Sequence, residues 1–202
     1  MHPRGRLRIA VRFLGAVLGV SGVLLVLDGV ATLLWQEPIS GTIAQGEQSS
    51  LNGQLATASK GRPADRSPRT EPGAAFGRIS MPRLGLSYVM VEGVTTSALR
   101  KGPGHYPDTQ MPGKGGTVGV AGHRTTYLAP FRKIDKLVRG DRIVLEMPYG
   151  EFGYRVEKTR IVSPTATEVK RRVGYERLVL TACHPLYSAA QRIVVFARSE
   201  SR

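Results

Sequence analysis

Cysteine is all but missing from this sequence: Cys183 is the only one in 202 residues. A disulfide within the chain is therefore excluded, and so is any CxxC-type metal or redox motif. Acidic residues are also scarce, 15 against 29 Lys and Arg, for a formal net charge of +14. None of them precedes Asp28. The basic residues are scattered rather than gathered into a stripe, so nucleic acid is not the expected partner. Anionic lipid headgroups or an anionic wall suit such a surface better. No internal repeat is present.

What the N-terminus does have is one long apolar run, "FLGAVLGVSGVLLVLDGVATLLW", residues 13–35. As a helix it would reach ~35 Å, enough to cross a hydrocarbon core of ~30 Å. Residues 1–12 form a basic leader with Arg4, Arg6, Arg8 and Arg12. The positive-inside tendency places that leader in the cytoplasm and the rest of the chain outside. No small-x-small cleavage site follows the run, so it is expected to stay as a single-pass anchor. Asp28 is costly within it, by ~2.5–3.5 kcal/mol on insertion scales.

Residues 36–75 are rich in Gly, Ser, Gln, Pro and Ala, with few aliphatics. This composition predicts a flexible extracellular tether. From Phe76 to the end at 202 the texture becomes short β-branched and aromatic runs broken by Gly and Pro. Strands are expected at 76–80, 87–91, 117–122, 141–147, 152–163, 177–182 and 192–198, with a hairpin turn around Pro148 and Gly150. Seven or eight strands in one domain predict a mainly β fold, an antiparallel barrel or sandwich. Two pieces have helical spacing: "TSALRKG" from Thr96, and "APFRKIDKLVRG", with Phe131, Ile134, Leu137 and Val138.

Cys183 and His123 each stand at the end of an expected strand, and Arg192 opens the next one. A lone thiol in an oxidising space is a buried inert group, an intermolecular bridge or a nucleophile. As a nucleophile it needs help, since a free thiol has a pKa of ~8.5 and nearby positive charge lowers it. A histidine can exchange a proton with the thiol and with a leaving amine. An arginine can donate hydrogen bonds to the oxyanion on an attacked carbonyl. Of the other histidines, His2 lies in the leader, His105 in an expected loop, and His184 next to the cysteine, where strand alternation turns it away. No HxxxH or CxxC spacing supports zinc, and no acidic cluster suggests calcium, so no metal and no cofactor are expected.

"AGHRTTYLAPFRKIDKLVRGD", followed later by "LTACHPLYSAAQRIVVFA", resembles the sortases, membrane-anchored cysteine transpeptidases of Gram-positive surfaces. The resemblance runs from Phe76 to Arg198, and "GHRTTY" and "CHP" look most like class E. It implies a closed eight-stranded β-barrel. It also implies that Cys183 attacks the Thr–Gly carbonyl of an LAxTG- or LPxTG-type sorting signal to form a thioacyl intermediate. His123 would protonate the departing glycine and deprotonate the incoming amine, and Arg192 would hold the oxyanion or the substrate backbone. Tyr127 matches the tyrosine linked to LAxTG signals. The implied partners are surface proteins bearing such a signal, a peptidoglycan-precursor amine and the membrane.

One departure stands out. The family usually reads Thr-Leu-x-Thr-Cys, whereas this chain has Val-Leu-Thr-Ala-Cys at 179–183. Thr181 and Ala182 are candidate substrate contacts beside Tyr127, but Thr181 cannot replace a hydroxyl at 182, because neighbouring strand residues face opposite ways. An alternative is a sortase-fold module that binds a signal without turnover. The Leu-Thr-Ala before the cysteine does not match the Ser-His-Gly-Cys type signature of L,D-transpeptidases.

Overall fold

Strand alternation decides which side chains this protein buries and which it presents. In the computed structural model, which describes residues 3–34, 38–60 and 71–200, eight strands close into a barrel. They are β1 (Ala75–Met81), β2 (Leu86–Glu92), β3 (Gly104–His105), β4 (Thr117–Ala121), β5 (Arg142–Met147), β6 (Gly150–Val162), β7 (Arg177–His184) and β8 (Gln191–Ser199). Around the barrel the order is β1-β2-β3-β4-β7-β8-β6-β5. The β2–β3 and β4–β7 pairs are parallel and the others antiparallel.

Every second residue points inward. Val118 and Val120 of β4, Leu178, Leu180 and Ala182 of β7, and Ile193, Val195 and Ala197 of β8 share one interior core with Phe76, Ile79, Phe131 and Tyr154. The residues between them face out, and Val179, Val194 and Phe196 form a separate small cluster on that outer surface. β5 and β6 form the expected hairpin, with Met147 opposite Gly150. Glu176 ties down a glycine-rich loop beside the barrel. It accepts from the Gly113 and Gly115 amides at 3.0 Å and from the Tyr154 hydroxyl at 2.6 Å.

The chain falls into two units, Met1–Ile39 and Ser40–Arg202. The first holds helix α1 (Pro3–Leu34), in which Ile9–Ala31 is long and apolar enough to cross a membrane, at a mean hydropathy of 2.3.

Part of the expected tether is a helix instead. α2 (Pro38–Lys60) lies against the barrel within the second unit. Leu51 is buried with Val89, Val91 and Ala98, and Leu55 packs beside them. The Gln48 carboxamide donates to the Val89 and Lys101 carbonyls at 3.0 and 2.7 Å and accepts from the Val89 amide at 2.8 Å. Residues 61–70 lie outside the described residues. Thr95 caps the short helix α3 (Thr96–Lys101), its hydroxyl accepting from the Ala98 amide. The helix expected around 129–140 reduces to turns and one 3-10 turn, Ile134–Lys136. Its buried residues, Phe131, Ile134 and Leu137, recur every three positions, which is the 3-10 period and not the α period.

Candidate active site

Two adjacent strand ends bring Cys183 and Arg192 together, and His123 follows the end of a third strand. In the parallel β4–β7 ladder Ala121 is opposite Thr181, and the Gly122 amide donates to the Thr181 carbonyl at 3.0 Å. His123 follows two residues after Ala121, as Cys183 follows two after Thr181, and lies in the loop just past the last paired residue of β4. In the antiparallel β7–β8 ladder Cys183 is directly opposite Arg192. Neighbouring strands lie ~4.8 Å apart, so Cys183 and Arg192 stand side by side on β7 and β8, with His123 in the loop just past the end of β4. The alternation that sends Ala182 and Ile193 inward turns Cys183 and Arg192 outward together.

His123 is half-buried. Its Nε2 is shielded from solvent and has no hydrogen-bond partner among the described residues. Burial, and secondarily the Arg100 charge, lower its pKa below the usual 6.5. The imidazole is therefore neutral at neutral pH. With the folded pKa below the unfolded one, the stability this neutral ring contributes is complete above 6.5. It is lost as pH falls through the lowered value.

Gly122 is what lets this loop fold. A Cβ there would meet the buried Phe131 ring at 2.5–2.9 Å. Gly122→Ala is expected to cost about 1–3 kcal/mol, read as a lower denaturation midpoint with an unchanged m-value.

Tyr127 sits in the same loop, its ring 5.3 Å from that of His123, with the Arg100 guanidinium 5.5 Å above it. Tyr127, Leu128 and Ala129 all have positive φ, 51°, 64° and 42°. Three consecutive non-glycine residues in the left-handed region need support from their surroundings. One support is α2, whose Ser40 hydroxyl accepts from the Tyr127 amide at 3.3 Å.

Arg192 folds its Nη1 back onto the Ala189 and Gln191 carbonyls at 2.9 and 3.0 Å, which leaves Nε and Nη2 for another acceptor. Thr181 shares the outer face with Cys183, and its hydroxyl meets the Tyr106 hydroxyl at 2.9 Å. Ala182, expected to face the substrate, instead turns its side chain into the barrel core, where it is 4% exposed. His105, expected in a loop, is also a core residue. It stacks on Phe76, and its ring nitrogens meet Glu92, Thr109 and the Gln110 carbonyl. His184 is half-buried, with its Nδ1 3.4 Å from Arg124 Nη1. Among the described residues no group of three His, Cys, Asp or Glu is gathered that could hold a metal.

Arg124 is the residue that sequence reasoning missed. It is 4% exposed. Nη1 donates to the Cys183 carbonyl at 3.4 Å, and Nη2 donates to the Arg132 carbonyl at 3.3 Å and to Asp135 at 2.9 Å. One planar fork thus joins the His123 loop, the 132–135 turn and the end of β7. Its place directly after His123 was the only available signal, and burial is what gives that place meaning.

Comparison with known proteins identifies the family. The Sortase domain family model matches residues 79–200. Among curated proteins, the chain is 34% identical to sortase D of Bacillus subtilis over 64% of its length and 66% of the relative's. It is 30% identical to sortase SrtE1 of Streptomyces coelicolor over 94% of its length and 57% of the relative's. The chain thus spans less than two thirds of the length of these relatives. Among solved structures, sortase E of Streptomyces avermitilis superposes with a TM-score of 0.58 at 37% identity, covering 65% of this chain and 91% of that one. Sortase E1 of Streptomyces coelicolor, solved with a tripeptide in its active site, gives 0.60 at 30% identity, covering 64% and 90%.

Proposed function

This chain belongs to the sortase family, and on that premise we propose that it is a membrane-anchored cysteine transpeptidase acting on a C-terminal LAxTG-type sorting signal. The observation that carries the proposal is Cys183 directly opposite Arg192 on one outer face, with His123 two residues past Ala121, the partner of Thr181. A neutral imidazole is a base, so His123 first takes the thiol proton. The Cys183 sulfur then attacks the threonine carbonyl, and the tetrahedral oxyanion accepts hydrogen bonds from the free donors of Arg192. Collapse breaks the Thr–Gly bond, and the imidazolium gives its proton to the glycine amine. The thioacyl enzyme is left behind. An incoming amine from a peptidoglycan precursor then attacks, loses a proton to His123 and releases the thiol. Because His123 must serve both amines, the amine side of the substrate lies toward β4 and the acyl side toward β8.

The LAxTG preference is supported by the match of Tyr127 to the tyrosine linked to such signals in class E relatives. The apolar helix fits a single membrane span. The arginines before it support a cytoplasmic N-terminus, with the enzyme outside.

The test is to incubate the full chain in detergent micelles with LAETG and LPETG peptides and an amine acceptor. Faster cleavage and transfer of LAETG is expected, and cleavage of neither peptide would refute the proposal. Arg100→Gln removes a like charge near the imidazolium, so the His123 pKa is expected to rise toward 6.5. NMR titration of the ring checks this, and the acidic limb of the pH–rate profile should move to higher pH with it.

A further inference from the structure

The outer face of β6, β7 and β8 does not end at Cys183. A cleft of about 130 Å³ leads away from it, with Thr181 and Arg192 at the near end and Val162, Ala166, Val169 and Val194 as apolar walls. Val162 and Val169 are shared with a second depression of about 260 Å³ further along the same strands. The second is lined by Lys158, Arg160, Arg171 and Arg177 against one carboxylate, Glu168.

Among the described residues, none of these four cations forms an ion pair. Arg177 is more than nine-tenths buried. It donates only to neutral acceptors, the Thr117 hydroxyl and the Val169 and Arg171 carbonyls, and its guanidinium lies 5.3 Å from the Phe196 ring centroid. A buried cation with no carboxylate in direct contact, beside three exposed cations that form no ion pair among the described residues, leaves this depression with an excess of positive charge.

Register sets the distance from the site. On β6, Val162 is opposite Arg192, Arg160 opposite Val194 and Lys158 opposite Phe196. From Arg192 to Phe196 is four residues, ~13 Å at 3.3 Å per residue. The four acyl-side residues of an extended Leu-Ala-x-Thr segment cover the same ~13 Å from Cys183. The acyl side lies toward β8, so the apolar cleft receives the leucine. The residues just before it arrive among the cations.

We infer that this depression is a specificity subsite for acidic side chains immediately N-terminal to the sorting motif. It rests on the reading of Cys183, His123 and Arg192 as the transpeptidase site. It adds a recognition element that the five-residue motif does not contain.

The test uses the full chain in detergent micelles and three peptides that differ only in the two residues before LAETG: Asp-Asp, Ser-Ser or Lys-Lys. The expected order of kcat/KM is Asp-Asp, then Ser-Ser, then Lys-Lys. The outer two should differ about five- to tenfold at low salt, as two partly screened ion pairs give, and the difference should shrink as salt is added. In the double variant Lys158→Glu, Arg160→Glu the order is expected to reverse. Equal kcat/KM for all three peptides, or an unchanged ratio in the double variant, would overturn the inference while leaving the transpeptidase standing. Equal values together with inhibition by polyphosphate would overturn it in favour of an anionic-polymer site. If no peptide is cleaved, the transpeptidase reading fails first. Anisotropy of the labelled peptides on the Cys183→Ala chain then decides the subsite, with tighter Asp-Asp binding supporting it and equal affinities overturning it.

Discussion

Cys183→Ala is expected to abolish cleavage of an LAETG peptide, by a factor on the order of 10⁴ or more. The fold should survive, with stability changed by less than about 1 kcal/mol. The thiol is half-exposed and sits at the end of β7, so its removal opens no core cavity. Neither His123 nor Arg192 offers a nucleophile that could form an acyl intermediate in its place. Steady-state cleavage and a thermal melt on the same sample check both halves. A folded variant with substantial residual cleavage would mean that the chemistry runs elsewhere.

Arg124→Ala is expected to damage both stability and rate. Its loss strips donors from the Cys183 and Arg132 carbonyls and the partner from Asp135, which is itself over a third exposed. Unsatisfied acceptors of this kind cost about 2–4 kcal/mol in total. For a domain of this size that is a fall in Tm of about 5–15 °C. Arg124→Lys separates positioning from mere stability. Lysine keeps the charge but cannot make three bonds from one rigid plane. Assayed well below its melting point, the lysine variant is expected to keep KM near the wild-type value and lose about tenfold in kcat. Wild-type kcat in a folded Arg124→Lys chain would show that the fork matters for stability alone.

The barrel was readable because its strands advertise themselves. β7 and β8 alternate or run apolar between turn residues, and that pattern reports a local backbone period. β3 was not readable, since two residues, Gly104 and His105, carry no period. α2 escaped because its contact stripe is Ala44, Gln48, Leu51 and Leu55. The spacing is helical, but the central anchor is a polar residue whose value lies in reaching the β2 backbone. The segment around Phe131 was misread because threes and fours look alike over two turns.

The set of site residues was legible only through resemblance, because a lone Cys, His and Arg occur together in many chains. The structure adds the register that aligns Cys183 with Arg192 and ends the neighbouring β4 ladder two residues before His123. Ala182 shows the reverse case. The missing hydroxyl drew attention to the residue, yet alternation places it inside the barrel. Arg124 and the unpaired cations near Arg177 depend on burial and on absent partners, and neither can be read from the order of residues.

The central claim is that Cys183 carries the acyl group, and intact-protein mass spectrometry tests it most directly. The full chain is mixed with an LAETG-containing peptide, quenched in acid before hydrolysis, and digested to locate the label. The expected result is a mass increase equal to the peptide ending at its threonine less one water, on the fragment bearing Cys183, removed by hydroxylamine and missing in Cys183→Ala. Cleaved peptide with no adduct on Cys183, or an adduct on another residue, would contradict it.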